Sequence, residues 1–242
     1  MTETAKAYHS ITIGDKNTWD DWHLIPTSRP VFAPPEVKSK WVDIPGANGE
    51  LNLTDVLTSY PVYKNRQGEF EFYLPPDDGY AWDIIYSEMM NYFHGKGMKA
   101  ILADDPTFYY EGRFSVDEWK SEKSWSTIVI SYNVYPYKNE ITSSLDQWEW
   151  DTFDFRTGVI RYAAGIEVSG TKTVIVPGSA MRVIPTFTLK GDEDMTITFK
   201  EKTYTLKTGT HKILGIEFSD GDNELTFTGN GTVDISYRGG RL

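Results

Sequence analysis

Short alternating runs of apolar and polar residues, broken by turn residues, dominate the chain. Ile11 and Ile13 alternate with polar neighbours until Gly14-Asp15 stops them, and Trp19, Trp22, Leu24 and Ile25 follow. Pro26, Pro30, Pro34 and Pro35 then fall within ten residues. No central strand tolerates prolines that close together, so this stretch reads as an extended arm or edge segment. Trp41–Ile44 and Glu50–Leu53 read as partner strands around a turn at 45–49. Gly68–Leu74 is a strand with Phe70, Phe72 and Leu74 on one face.

One helix interrupts the strands. Pro75-Pro76-Asp77-Asp78 is its start signal, with carboxylates suited to a helix N-terminus. Trp82, Ile85, Met89, Tyr92 and Phe93 recur at helical spacing over about 79–94, and Gly95 and Gly97 end it where a left-handed cap is favoured. Strands resume at Met98–Leu102 and Phe108–Val116, the latter with a bulge expected at Gly112. Trp125–Tyr135 is the clearest strand, with Ile128, Ile130, Tyr132 and Val134 on one face.

The pattern lapses over Pro136–Asp146, which predicts a boundary between residues 1–138 and residues 139–242. Beyond it the helical signal is gone. Strand-like runs recur at 173–176, 183–189, 195–199, 204–206, 213–218, 225–228 and 233–237, with glycines in the gaps. Spacing of this kind predicts a small β-sandwich. The fold class expected is mainly β: an α+β N-terminal domain with one prominent helix, then a β-sandwich.

Composition narrows the function. The 242 residues carry 24 Lys and Arg against 35 Asp and Glu, a formal charge of −11, which argues against an ordinary nucleic-acid-binding face. Cys is absent, which removes disulfide scaffolds and Cys-ligated zinc. The first twenty residues lack an apolar signal-peptide core, and no run is long enough to span a membrane, so a protein made soluble in a reducing cytoplasm is expected.

Catalytic and metal motifs are missing. His9, His23, His94 and His211 fall on four different elements without ligand spacing, and His94 reads as a last-turn cation that favours the helix dipole. Gly95-Lys-Gly97 and Gly229-Asn-Gly231 lack the rest of a dinucleotide fingerprint and read as turns. Asp104-Asp105 is the sharpest carboxylate pair and also reads as a turn. Asp220-Gly-Asp-Asn-Glu224 has an acidic-loop look but not the length of a calcium loop, and a hairpin turn explains it more simply. Trp19, Trp22, Trp41, Trp148 and Trp150 suit core or protein interface, with a sugar platform as the alternative. No catalytic residue, cofactor or metal site is expected.

Several blocks together resemble the distal tail proteins of long-tailed phages. They are Ile11-Thr-Ile-Gly14 with Thr18-Trp-Asp-Asp-Trp22-His-Leu-Ile25, then Val42-Asp-Ile44-Pro-Gly46-Ala-Asn-Gly49-Glu-Leu51-Asn-Leu53-Thr54, where Asn52 stands at a frequent Asp. Tyr63-Lys-Asn-Arg66, Phe93-His94-Gly95, Tyr109-Tyr-Glu-Gly112-Arg113 and Pro136-Tyr137-Lys138 continue the likeness. Asp222–Leu225, Gly229-Asn-Gly231 and the ending Val233–Leu242, with Tyr237-Arg-Gly-Gly-Arg-Leu242, complete it.

The resemblance implies a non-enzymatic baseplate hub at the distal end of a virion tail, from a phage or prophage of a Gram-positive host. It implies assembly in the host cytoplasm and a hexameric ring built by the N-terminal domain, with a galectin-like, carbohydrate-binding-module-like sandwich projecting outward. The implied partners are the tail tube protein, a tail-associated lysin or fibre protein and receptor-binding proteins, with DNA passing through unbound and no membrane insertion. Candidate interface residues are Trp19, Trp22, Trp41, Tyr63 and Arg66. A glycan-binding module or adhesin is the runner-up, and a tail-borne glycosidase a third reading.

Overall fold

In the computed structural model, residues 9–75, 82–121, 126–147 and 158–242 are described. The expected helix start at 76–81, together with Trp125, Trp148 and Trp150, lies outside them. The chain divides into two compact units, Met1–Lys138 with Leu242, and Asn139–Arg241.

The first unit is an antiparallel sheet backed by one helix. Its strands are β1 (Ile11–Ile13), β2 (Lys16–Asn17), β3 (Ile25–Pro26), β6 (Arg66–Leu74), β7 (Lys96–Leu102), β8 (Phe108–Ser121) and β9 (Ser126–Val134), in the order β2-β1-β7-β8-β9-β6-β3. Gly14-Asp15 is a two-residue hairpin turn between Ile13 and Lys16, with Gly14 at φ +63°. A glycine in the first central position is what such a turn requires.

Along β6 and β9 the alternation puts Phe70, Phe72, Leu74, Ile128, Ile130, Tyr132 and Val134 into one core. Helix α1 (Trp82–Tyr92) adds Ile85 and Met89, one turn apart, and Phe93 just beyond its end. Gly95 follows at φ +71°, where a side chain would be strained, and β7 begins at Lys96.

The proline-rich stretch is an edge segment. Thr27 N–H donates to Glu71 O at one end, and Lys64 N–H donates to Glu36 O at the other, so residues 28–35 run beside β6. Prolines there leave few backbone donors for a foreign strand.

Two expectations need correction in this unit. Gly112 sits in regular register opposite Met98 and Val134; the bulge of β8 falls between Val116 and Trp119. Gly112 instead allows a close approach, because a Cβ there would collide with the backbone of Asn133 and Val134. His94 lies beyond the helix, and its Nδ1 accepts a hydrogen bond from Val116 N–H. A ring nitrogen used as an acceptor is unprotonated, so it does not serve as a helix-end cation.

Residues 41–52 form a separate two-stranded sheet, β4 (Trp41–Asp43) with β5 (Glu50–Asn52), paired Trp41 to Asn52, Val42 to Leu51 and Asp43 to Glu50. Its turn uses Gly46 and Gly49 at φ +85° and +79°.

The second unit contains β10 (Lys138–Glu140), β11 (Ile166–Pro177), β12 (Thr186–Lys190), β13 (Met195–Phe199), β14 (Lys202–Leu206), β15 (Gly209–Lys212), β16 (Asp222–Ser236) and β17 (Gly240–Arg241). Strand β16 organises it. One edge pairs with β11 over twelve positions, from Asp222 to Val233. The other edge takes β13 at Thr226–Thr228 and then β12 at Thr232–Ser236.

The sequence reading treats 225–228 and 233–237 as two strands separated by a Gly229-Asn-Gly231 turn. They are one strand that bends at those glycines, with φ +142° and +148°. The bend lets a single strand pair first with β13 and then with β12 along one edge and around one core, where Phe187 of β12 meets Phe227 of β16 at 6.4 Å. Two further differences follow. Residues 173–176 belong to the longer β11, because pairing with β16 carries it back to Ile166. Residues 213–218 form no strand: Ile216 N–H donates to Ile213 O in a turn, and Phe218 keeps only an isolated bridge to Val183. Ile216 and Phe218 are nonetheless fully buried, which explains their strand-like alternation.

A Cβ at Gly231 would stand 2.9 Å from Lys190 O, and one at Gly229 would stand 2.6 Å from Met195 Cγ. Gly231→Ala therefore combines left-side backbone strain with displacement of β12. The expected loss is about 2 kcal/mol or more. Thermal unfolding followed by circular dichroism checks it; an unchanged midpoint would contradict the role assigned to the bend.

Candidate interface

The five candidate residues separate into three places. Trp22 is fully buried, its ring 5.8 Å from both Tyr92 and Phe93, with Lys16 Nζ 5.7 Å from the indole centroid. Lys16 also pairs with Glu88 on α1, and Tyr92 Oη accepts from Asp15 N–H, so this corner locks the β1–β2 hairpin to the helix. Trp19 is half-buried, edge-on to His23 at 5.9 Å.

Tyr63 and Arg66 come together at the far end of the sheet. Arg66 is 5% exposed, and among the described residues no carboxylate pairs with it. Its Nε donates to Pro136 O at 2.7 Å and its Nη1 to Ala33 O at 3.0 Å, while the guanidinium lies 5.5 Å from the Tyr110 ring centroid. Tyr132 Oη accepts from Ala33 N–H at 2.8 Å, and the Tyr63 and Tyr137 rings meet edge-on at 5.9 Å. Burial lowers the pKa of Arg66 and raises those of Tyr110 and Tyr132. Arg66 thus clamps the proline-rich segment and residue 136 to β6. Its surface is spent inside the subunit.

Trp41 stands alone. It is 53% exposed on the β4–β5 hairpin, and Ile44, Leu51, Val56 and Leu57 are exposed beside it, Leu57 almost completely. Two strands by themselves are marginal in water. Exposed apolar clusters larger than scattered single residues are found at protein interaction surfaces.

The other sequence candidates are occupied locally. His9 Nδ1 and Arg29 Nε both contact Asp104 Oδ2, and Lys138 Nζ contacts Asp105 Oδ2, so each member of the acidic pair has its own cation. His211 Nε2 contacts Thr208 O. The Asp220–Glu224 loop is held by buried Asn223, whose amide donates to Ser219 O and Gly221 O and whose Oδ1 accepts from Ser219 N–H. Among the described residues, no group of three or more His, Asp or Glu side chains is placed to hold a metal ion.

One cluster escaped the sequence reading. Arg161, in a coil segment, is buried with Nε and Nη2 on the two oxygens of Glu140 at 2.7 and 3.1 Å. Its Nη1 donates to the carbonyls of Pro177 and Gly178, and Tyr237 Oη donates to Pro177 O at 3.0 Å. Gly239 has no room for a side chain, since a Cβ would lie 2.6 Å from the Glu140 carboxylate and the Arg161 guanidinium. The Tyr237-Arg-Gly-Gly block is therefore the wall of a buried ion pair. Only its end motif was visible beforehand; nothing in sequence joins residues 140, 161 and 237.

No family model and no curated protein matches the sequence. Among solved structures, the crystal structure of SPP1 Dit overlays with a TM-score of 0.58, covering 96% of this chain and 99% of that one at 12% identity. The fold resembles that of SPP1 Dit. SPP1 Dit is described as a paradigm of the hub adsorption apparatus in Gram-positive-infecting phages. At this identity the likeness to SPP1 Dit is one of fold, and it extends through both units.

Burial raises the Tyr237 pKa to about 12, with Arg161 opposing and Glu140 reinforcing the shift. An unfolded tyrosine releases its proton near pH 10. Between about pH 10 and about pH 12 the unfolded chain therefore loses a proton that the folded chain keeps, and stability falls as pH rises. A two-unit difference corresponds to about 2–3 kcal/mol. Urea titrations across that range should show the decline, and Tyr237→Phe should flatten part of it; an identical decline in the variant would remove Tyr237 as its source.

Proposed function

We propose that the chain is a structural hub of a phage tail tip. In this reading six copies close into a ring through the first unit, one face meets the tail tube protein, and the other meets a tail-associated lysin or fibre protein. The observation that carries the reading is the full-length likeness to SPP1 Dit, which spans nearly all of both chains. The role is that of a scaffold, without catalysis, and receptor-binding proteins attach at the periphery.

Two surfaces of the first unit support it. The first is the apolar hairpin around Trp41, which suits contact with a neighbouring copy; a head-to-tail contact must close into a ring or run on as a filament. The second is the solvent face of the main sheet. Its alternating positions on β6, β7 and β8 up to the bulge carry Glu69, Glu71 and Glu111, against Lys99 and Arg113. Arg113 donates to Gly95 O, and Lys99 lies 4.5 Å from the Tyr109 ring centroid, so both cations are engaged. A sheet face with this sign suits the lining of a channel through which DNA slides without binding, since phosphate contacts by Lys or Arg would hold it. Six copies at −11 each would total −66.

Light scattering on the purified protein should report six subunits of 27.6 kDa, about 166 kDa. Trp41→Ala with Leu51→Ser should shift the mass toward the monomer while the melting temperature hardly moves, because both side chains are exposed. A monomeric wild type at high concentration, or a double variant that still assembles fully, would count against the reading. In low-salt filter binding the ring should retain no duplex DNA, and micromolar retention would sink the channel assignment.

A further inference from the structure

The dipeptide Asn-Gly occurs twice in the chain, at 48–49 and at 230–231. It is the asparagine context most prone to lose the side-chain amide. The backbone nitrogen of the next residue attacks the asparagine Cγ, closes a five-membered imide and expels ammonia, and water then opens the imide. Glycine in the second position has no Cβ to obstruct that attack. By sequence the two sites are equivalent; the fold separates them.

Asn230 is held in place. It lies within β16 opposite Ser169 of β11, and Gly231 lies opposite Val168. Its Oδ1 accepts a hydrogen bond from Gly170 N–H at 3.1 Å. Around Gly231 the packing is tight enough that a Cβ would stand 2.9 Å from Lys190 O. Closing the imide there requires the bend to come out of its ladder first. Asn48 has none of these restraints. Residues 44–49 join β4 to β5 and are all exposed. A hydrogen bond from Ala47 N–H to Ile44 O crosses the turn, and among the described residues no hydrogen bond engages the Asn48 side chain or Gly49 N–H. Gly49 has φ +79°, with nothing within 4 Å of where a Cβ would stand. The dipeptide is free to reach the closing geometry without breaking a ladder.

We propose that Asn48 is a site of spontaneous covalent modification that ages the β4–β5 hairpin. The Gly49 nitrogen gives its proton to water, attacks Asn48 Cγ and displaces the amide as ammonia. Water then adds to one of the two imide carbonyls. Opening on one side leaves an aspartate at position 48, and opening on the other leaves an isoaspartate. Either product adds one negative charge to a chain already at −11. The isoaspartate also lengthens the main chain by one carbon, inside a turn that sets Asp43 opposite Glu50. Strands β4 and β5 pair only with each other, and two strands alone are marginal. The longer turn therefore loosens the register that sets Trp41 opposite Asn52 and Val42 opposite Leu51. The apolar surface around Trp41 changes with time in solution, while the bend of β16 keeps its asparagine. This inference does not depend on ring formation.

Timed incubation of the full chain at neutral and at mildly alkaline pH, followed by peptide mass mapping, tests it. The peptide that carries Asn48 should gain the mass difference between an amide and an acid and should accept methyl groups from an isoaspartyl methyltransferase. It should do so faster at the higher pH, because the attacking nitrogen must lose its proton. The peptide that carries Asn230 should change about tenfold more slowly or less, since its chemistry waits on local opening. Asn48→Gln keeps an amide but needs a six-membered ring, and it should abolish the change over the same interval. Its melting temperature should not move, because position 48 is exposed. The Trp41→Ala, Leu51→Ser variant, with the apolar contact of the hairpin removed, is a second background in which Asn48 should be modified at least as fast. No modification at Asn48 in either background, equal rates at 48 and 230, or a change that persists in Asn48→Gln would overturn the assignment. Subunit mass is read separately by light scattering, so failure here leaves the hub reading standing, and the reverse also holds.

Discussion

Each unit buries one guanidinium at the edge of its core, and the coil segments are organised around it. Sheets settle their own backbone groups through ladders, but the segments at 31–35 and 136 lie outside any strand, and 177–178 is where the β11 ladder ends. Arg66 reaches Ala33 and Pro136; Arg161 reaches Pro177 and Gly178. Planar groups with five donors suit carbonyls that converge from different parts of the chain. The two differ in how charge is compensated. Arg161 has Glu140, whereas Arg66 has, among the described residues, carbonyls and the Tyr110 ring. Removing Glu140 would strand a buried charge, which costs more than the pair contributes over an apolar replacement.

Regular elements were legible in sequence wherever the partner was local or the alternation clean. The β4–β5 hairpin, β6, β9, β13 and the face of α1 could be read from glycine turns and from periods of two and 3.6. The misreadings share a cause. Gly229-Asn-Gly231 looked like a turn because glycines usually punctuate strands; only the presence of β12 and β13 on one edge shows that the pair bends a strand instead. Ile216 and Phe218 alternate like strand residues because burial, not pairing, selected them.

The candidate surface was legible only in part. Tryptophan is equally suited to a core and to an interface, so Trp22 and Trp41 could not be told apart by type. What separates them is context: Trp22 lies beneath α1, while Trp41 is on strands that pair only with each other. Arg66 looked like a contact residue and is a clamp. Its partners are 33 and 70 residues away, a distance at which sequence pattern carries no information.

The bent strand has a consequence for how the polypeptide is made. Strands β11, β12 and β13 all pair with β16, which is not complete until Ser236. As the chain emerges from the ribosome, β13 can pair with β14 and β12 with β15, but β11 has no edge to settle against until β16 is made. These pieces of the second unit are joined only by β16, a non-local topology of the kind that folds slowly. The seven strands β1–β3 and β6–β9 of the first unit end at Val134, so that their pairing can already be made by then.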